Sequence, residues 1–260
     1  MNWTSEKENL GRELTILLYE NGMIKTWFRD NPEGWQLISG IWSPFYIQLR
    51  PLSSYPQSKI ILARVGTAIG RMILEEISDA NKLIGIASAG IPIAIAATIF
   101  SGIPSCYTRK LEGVKTIEHF KKRLTQYGEH SLVEGLIEDN DNLVLVDDLV
   151  TKFDSKVIAL EQVKYEIRRR EQISRQLNTT CKHVAVLLDR EQGAAKMAEH
   201  LGLTLHSLIP FKTKGITWLR EKMSLKEYSV IKDYLHNEKE YQNKERQEEL
   251  SKIALNRQKE

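Results

Sequence analysis

The stretch NLVLVDDLVTKFDSK, residues 142–156, sets an apolar run directly against two aspartates and then passes through hydroxyl-bearing and basic residues. The run Leu143 to Val146 is short, aliphatic and unbroken, which is the pattern of a strand buried on both faces. Asp147 and Asp148 follow at once. Neither carboxylate is easily buried without a donor, and alternation sends adjacent strand side chains to opposite sides. Thr151 and Ser155 stand at the expected start of a long helix reaching about Leu177. Free backbone N–H groups and the macrodipole favour an anion there. The acid pair is suited to accept from paired hydroxyls, as on a ribose, or to hold magnesium through water. Acids that grip hydroxyls, followed directly by a helix start that grips phosphate, describe a ribose-5-phosphate clamp.

Working outward, the spacing of Leu10, Leu14, Leu17 and Leu18 predicts an N-terminal helix stopped at Asn21-Gly22. Residues 26–50 are short stretches broken by Asn31-Pro32, Ser39-Gly40 and Ser43-Pro44, rich in aromatics, and read as a small hood. Beyond it, SKIILARVGTAIGRMILEEI reads as a helix, KLIGIASAG as a strand, IPIAIAATIFSG as a helix and IPSCYTRK as a strand. After residues 142–177 come the strand HVAVLLD, a helix through GAAKMAEHLG and a last strand LTLHSLIP. Such alternation predicts an α/β fold, a parallel sheet of about five strands flanked by helices. In these sheets ligands collect beyond the carboxyl ends of the strands. Ser88-Ala89-Gly90, Arg109-Lys110, Asp147-Asp148 and Asp189-Arg190 all fall at such ends. Residues 111–140 are charged and lack a strong period, and residues 236–260 read as an exposed polar helix or tail. The expected organisation is 1–55 N-terminal helix and hood, 56–235 α/β core and 236–260 charged tail, with C-terminal pieces joining the hood.

Composition narrows the class. The 37 basic residues nearly cancel the 34 acidic ones, leaving +3, which does not point to a nucleic-acid binder. No apolar run reaches the length of a membrane span, and the charged start MNWTSEKENLGRE is no signal peptide, so a cytoplasmic protein is expected. Cys106 and Cys181 lack metal-ligand spacing and read as two reduced, partly buried thiols.

The loop LVLVDDLVTKFDS resembles the phosphoribosyl-pyrophosphate (PRPP) loop of the type I phosphoribosyltransferases. With SGIWSPFYIQLRPLSSYP, IASAGIPIA, YTRK, YGEHSLVEG and LLDREQGA in the same order, the chain from Leu10 to Leu208 is similar to the orotate phosphoribosyltransferases. That resemblance implies transfer of phosphoribosyl from PRPP to orotate, giving orotidine 5′-monophosphate and pyrophosphate in pyrimidine (UMP) biosynthesis. It also implies magnesium held through PRPP and water, without direct protein ligands, and a homodimer. Carried over, Asp147 and Asp148 accept from the ribose hydroxyls. Thr151, Lys152, Phe153, Asp154 and Ser155 hold the 5′-phosphate, and Leu149 and Val150 belong to the same PRPP-binding stretch. Ala89, Gly90, Arg109 and Lys110 meet pyrophosphate, Arg109 and Lys110 as strong phosphate donors. Tyr46, Ile47, Thr151 and Arg190 take orotate. No decarboxylase-like second half is expected. An inactive family member that binds nucleotide or base as a regulator, and a transferase for another nucleobase, are the competing readings.

Several departures fall at working positions. Where the family reads glycines after the loop threonine, this chain has Lys152, Phe153 and Asp154. Phe153 is expected to reach positive φ only at a cost, and Asp154 to cap the helix and take amides that a phosphate would use. Lys152 and Lys156 are available to offset the added charge. Ile38 replaces a hood lysine, and Thr125 and Tyr127 stand where the catalytic loop carries lysine and histidine. The substitutes within the expected mobile loop (residues 111–132) are Lys115, His119, Lys121, Lys122, Arg123 and His130.

Overall fold

The computed structural model describes residues 2–37, 39–54, 58–114, 116–127, 130–173 and 177–257, so Ile38 and Lys115 lie outside the described residues. In chain order the elements are α1 (Trp3–Glu20), β1 (Ile24–Thr26), β2 (Trp35–Gln36), β3 (Trp42–Ser43), β4 (Phe45–Ile47), α2 (Ser58–Glu76), β5 (Lys82–Gly85), α3 (Gly90–Ser101), β6 (Ser105–Thr108) and α4 (Ile117–Tyr127). There follow β7 (Val133–Glu134), β8 (Asn142–Val150), α5 (Asp154–Ile173), β9 (Thr180–Asp189), α6 (Ala194–His200), β10 (Thr204–Pro210), α7 (Ile216–Trp218), α8 (Leu225–Tyr234) and α9 (Lys244–Arg257). The chain divides into two compact units, one of Met1–Glu8 with Ser53–Leu208, the other of Asn9–Leu52 with Ile209–Glu260.

The first unit is built on a six-stranded sheet in the order β10-β9-β8-β5-β6-β7. The pairs β9/β8, β8/β5 and β5/β6 are parallel, and β7 closes against β6 antiparallel. Parallel strands need crossover helices, which cover both faces and leave the strands apolar throughout. Accordingly Val144, Leu145 and Val146 on β8, and Val184 through Leu188 on β9, are fully buried. β8 runs to Val150 rather than stopping at Val146, so the two aspartates lie inside the strand. Hydrogen bonding to β9 continues past them, with Leu149 opposite Leu188 and Val150 opposite Asp189.

At the end of α2, Glu76 accepts hydrogen bonds from Trp3 Nε1 at 2.8 Å and Lys7 Nζ at 2.7 Å. His206 Nδ1 stands 2.8 Å from the same carboxylate, and its Nε2 lies 3.1 Å from His183 Nδ1. Burial works against this carboxylate's charge, but the bonds from His206, Lys7 and Trp3 outweigh it and hold the pKa down to about 2.

The segment read as an unpatterned loop forms α4. Among its described side chains the apolar face is Ile117, Phe120 and Leu124, spaced three and four apart, and of these Phe120 is fully buried. So narrow a stripe is lost among charged neighbours when read by eye. His119, Lys121, Lys122, Arg123 and Thr125 lie exposed on this helix.

In the second unit, β1 pairs with β4 and β2 with β3, both antiparallel. The polar tail is no exposed appendage there. Tyr241 is buried and stacks on Trp42 with ring centroids 6.4 Å apart. Gln242 copies a strand: its Oε1 accepts from Trp42 N at 2.8 Å and its Nε2 donates to Trp42 O at 3.1 Å. α9 buries Leu250, Ser251 and Ala254, and Ser251 donates to Glu33 at 2.7 Å. Among the described residues no helix is long and apolar enough to cross a membrane.

Candidate active site

Four consecutive strands of the first unit's sheet, β9, β8, β5 and β6, end on the residues singled out in the sequence. Arg190 follows β9, Asp147 and Asp148 lie near the end of β8, Ala89-Gly90 follow β5, and Arg109-Lys110 follow β6. The parallel register brings these separate stretches to one edge.

Period-two alternation separates the two aspartates. Asp147 is 6% exposed, whereas Asp148 keeps partial access to solvent. Asp147 Oδ1 accepts from Asp148 N at 2.9 Å, and Asp148 Oδ1 accepts from Leu149 N at 2.7 Å. Desolvation first, and the neighbouring Asp147 charge second, push the Asp148 carboxyl up to about 7.

Gly90 is fixed by packing: a Cβ there would lie 2.2 Å from Val146 O and 3.1 Å from Asp147 Cα. Any side chain would drive α3 off β8 beside the acid pair. Ala89 precedes α3 as its N-cap.

The loop from β8 to α5 corrects two expectations. Phe153 has φ of +83°, the left-handed conformation that glycine adopts cheaply. Its ring is 1% exposed and packs with the core that includes Ile86, Val150, Ala159 and Leu160. The local cost of about 1–3 kcal/mol is offset by ring burial of similar or larger size. The loop therefore reaches glycine's backbone shape without a glycine. Asp154 opens α5 but is exposed, and among the described residues no hydrogen bond reaches its carboxylate, so it does not occupy the helix-start amides. Thr151 is half-buried, and Lys152 and Ser155 are exposed. The Val150 side chain belongs to the core, and its carbonyl accepts from Arg190 N at 3.0 Å, tying the loop to the end of β9.

Lys156 turns inward instead of toward the loop surface. It is 2% exposed, with Nζ 2.8 Å from Asp147 Oδ2. It is not the offset to Asp154 that its sequence position invites.

Beyond β5 and β6 lies a cleft of about 560 Å³ lined by Ala87, Ser88, Thr108, Arg109, Lys110 and Glu134, among others. Thr108 Oγ1 accepts from Ala87 N at 3.0 Å and holds one wall. Arg109 Nε pairs with Glu134 at 2.7 Å, both side chains well exposed. Such a pair is worth about 0–1 kcal/mol, so an incoming polyanion displaces it cheaply. Glu134 was not read from the sequence as a site residue, Ser88 was noted only as part of a strand end, and Lys156 only as a surface offset to Asp154. The LVEG stretch at Glu134 was the available signal, but its pairing depends on β7 folding back on β6.

Arg190 is 8% exposed. Tyr46 and Ile47 belong to β4 of the second unit, where Tyr46 stacks on Trp35 at 6.0 Å and Ile47 is buried. Among the described residues no three His, Cys, Asp or Glu side chains gather to hold a metal ion.

No family model matches the chain. It is similar to the orotate phosphoribosyltransferase of Staphylothermus marinus, 30% identical over 235 residues that cover 89% of this chain and 98% of that protein. It is also similar to the uridine 5′-monophosphate synthase of Caenorhabditis elegans, 32% identical over 180 residues, 68% of this chain and 31% of that longer protein. The fold is that of two solved structures at low identity. Leishmania donovani UMP synthase has a TM-score of 0.66 at 21% identity, with 87% of this chain and 42% of that one covered. Aeropyrum pernix orotate phosphoribosyltransferase has a TM-score of 0.57 at 22% identity, covering 80% and 97%. Identity of 30% over nearly the whole length of the Staphylothermus protein places the chain in the orotate phosphoribosyltransferase family.

Proposed function

We propose that this protein transfers the 5-phosphoribosyl group from PRPP to orotate, yielding orotidine 5′-monophosphate and pyrophosphate. The observation that carries the reading is the edge formed by four adjacent strands. It sets a solvent-reachable carboxylate, a helix start and a pair of basic side chains side by side. Cleavage at the anomeric carbon leaves positive charge on the sugar and negative charge on pyrophosphate, and preorganised groups of opposite sign lower that barrier. Asp148, the accessible member of the acid pair, accepts from the ribose hydroxyls. The amides of residues 151–155 at the head of α5 receive the 5′-phosphate. Arg109 and Lys110 receive the pyrophosphate, Arg109 exchanging Glu134 for it. Arg190 pairs with the orotate carboxylate.

Magnesium is expected to arrive with PRPP, since Mg2+ keeps its waters and takes phosphate oxygens. When bound it would supply charge neutralisation at the pyrophosphate, beside the basic side chains of Arg109 and Lys110. The test is direct: with orotate, PRPP and magnesium, orotate absorbance falls while pyrophosphate appears in equal amount. Tight PRPP binding without product would overturn the transferase reading in favour of a regulator.

The cytoplasm is the expected compartment, and a homodimer the expected assembly. α3 is apolar nearly all round, yet Ile95 is 48%, Ile99 82% and Phe100 44% exposed. A helix of that composition calls for cover. Light scattering is expected to return twice the 29.9 kDa chain mass, and Ile99→Glu to return a monomer.

A further inference from the structure

Positions 156, 159, 160 and 163 make the inward stripe of α5, occupied by Lys, Ala, Leu and Val, all buried, with the buried Phe153 just before the helix. A lysine on such a stripe survives only when its ammonium is fully paired. Lys156 meets that condition. Nζ reaches Asp147 Oδ2 at 2.8 Å and Ser155 Oγ at 3.3 Å, and also donates to Leu149 O. Three donors have three acceptors, so nothing of the ammonium is left for a ligand.

The consequence falls on the neighbouring acids. Asp147 gives Oδ2 to Lys156 and Oδ1 to the Asp148 N–H, and is closed off from solvent. Asp148 retains access. A third carboxylate, Asp189, lies buried at the end of the adjoining strand β9 and accepts from Glu191 N at 2.7 Å. Closely spaced carboxylates away from water do not all ionise unless a cation stands among them. For Asp147 and Asp148 that buried cation is Lys156, whereas Asp189 is followed directly by the buried Arg190.

We infer that Lys156 is a positioning residue for ribose recognition: it locks Asp147 as its counter-ion and leaves Asp148 as the acceptor for the ribose hydroxyls. The two adjacent aspartates thus do different jobs, one turned inward to the ammonium and one outward to the sugar. This rests on the phosphoribosyl-transfer reading. Removing the ammonium leaves two uncompensated carboxylates, which then retain a proton between them and spoil the acceptor. Removing the ammonium together with the Asp147 charge leaves Asp148 free to ionise.

Steady-state kinetics and PRPP calorimetry on the full chain separate the possibilities, with thermal melting as the check on folding. Lys156→Met is expected to raise KM for PRPP by about tenfold or more while KM for orotate moves by less than about twofold. General damage to the fold would move both. Lys156→Arg, which keeps the charge, is expected to fall between Lys156→Met and wild type. The double variant Lys156→Met/Asp147→Asn is expected to recover PRPP affinity to within about threefold of wild type. A double variant as weak as Lys156→Met overturns the inference, because Asp147 would then itself hold the sugar. An unchanged KM for PRPP in Lys156→Met overturns it as well. Should Lys156→Met not fold, the neutral double variant decides alone on the same criterion. A wild-type chain that fails to bind PRPP removes the functional reading itself, an outcome distinct from wild-type turnover with an indifferent Lys156→Met.

Discussion

Asp148→Asn is expected to lower kcat/KM for PRPP by roughly 100-fold and, above pH 7, to raise the melting temperature. The first effect follows from exchanging a charged acceptor for an amide at the solvent-facing member of the acid pair. The second follows from the upward shift of Asp148, caused by desolvation and then by Asp147. A carboxyl whose folded pKa lies near 7 and whose unfolded pKa is 3.8 binds more protons folded than unfolded across that interval. Stability from this group is therefore greatest below about pH 4, falls as pH rises to about 7 and is flat beyond. Replacing the acid by its neutral isostere removes the penalty, worth about 1–2 kcal/mol after allowing for partial solvent access. Melting curves of both proteins at pH 5 and pH 8 check this, with the variant's advantage larger at pH 8. Equal gaps at the two pH values would contradict it.

Phe153→Gly, which installs the residue that the family pattern favours, is expected to destabilise the protein by about 2–3 kcal/mol. Truncating a buried Phe to Ala costs about 3–5 kcal/mol. Relief at a φ of +83° returns only part of that. For a chain of this size the loss corresponds to a fall of roughly 5–10 °C in melting temperature, measurable by calorimetry. Because glycine keeps the backbone shape, PRPP affinity in the folded variant is expected to change far less than stability. Phe153→Ala, which loses the ring and keeps the strained conformation, is expected to be less stable still.

The strands were legible along the chain because parallel strands buried on both faces announce themselves as short apolar runs, as β5, β8 and β9 do, whereas β6 and β10 are mixed in character and were placed by the alternation with helices. The acid pair was legible because carboxylates at the end of such a run have few structural uses. What escaped depends on contacts distant in sequence. Lys156 reads as one more surface lysine until α5 turns its stripe toward β8. Phe153 was judged by its backbone cost alone, without the core that its ring would fill. The C-terminal segment was judged by its polarity, yet Tyr241, Leu250 and Ala254 suffice to dock it within the second unit.

The same helix that follows the loop after β8 also steadies the residues at the end of β6. Gln162 on α5, 3% exposed, donates to the carbonyl of Arg109 at 2.8 Å. One turn on, Glu166 accepts from Ser131 Oγ at 3.1 Å and Leu132 N at 3.4 Å, while Arg109 N donates to Leu132 O at 3.0 Å. From Asp154 to Gln162 a helix advances about 12 Å. A single rigid rod thus serves as a ruler, setting the span between the loop that follows β8 and the basic pair that follows β6.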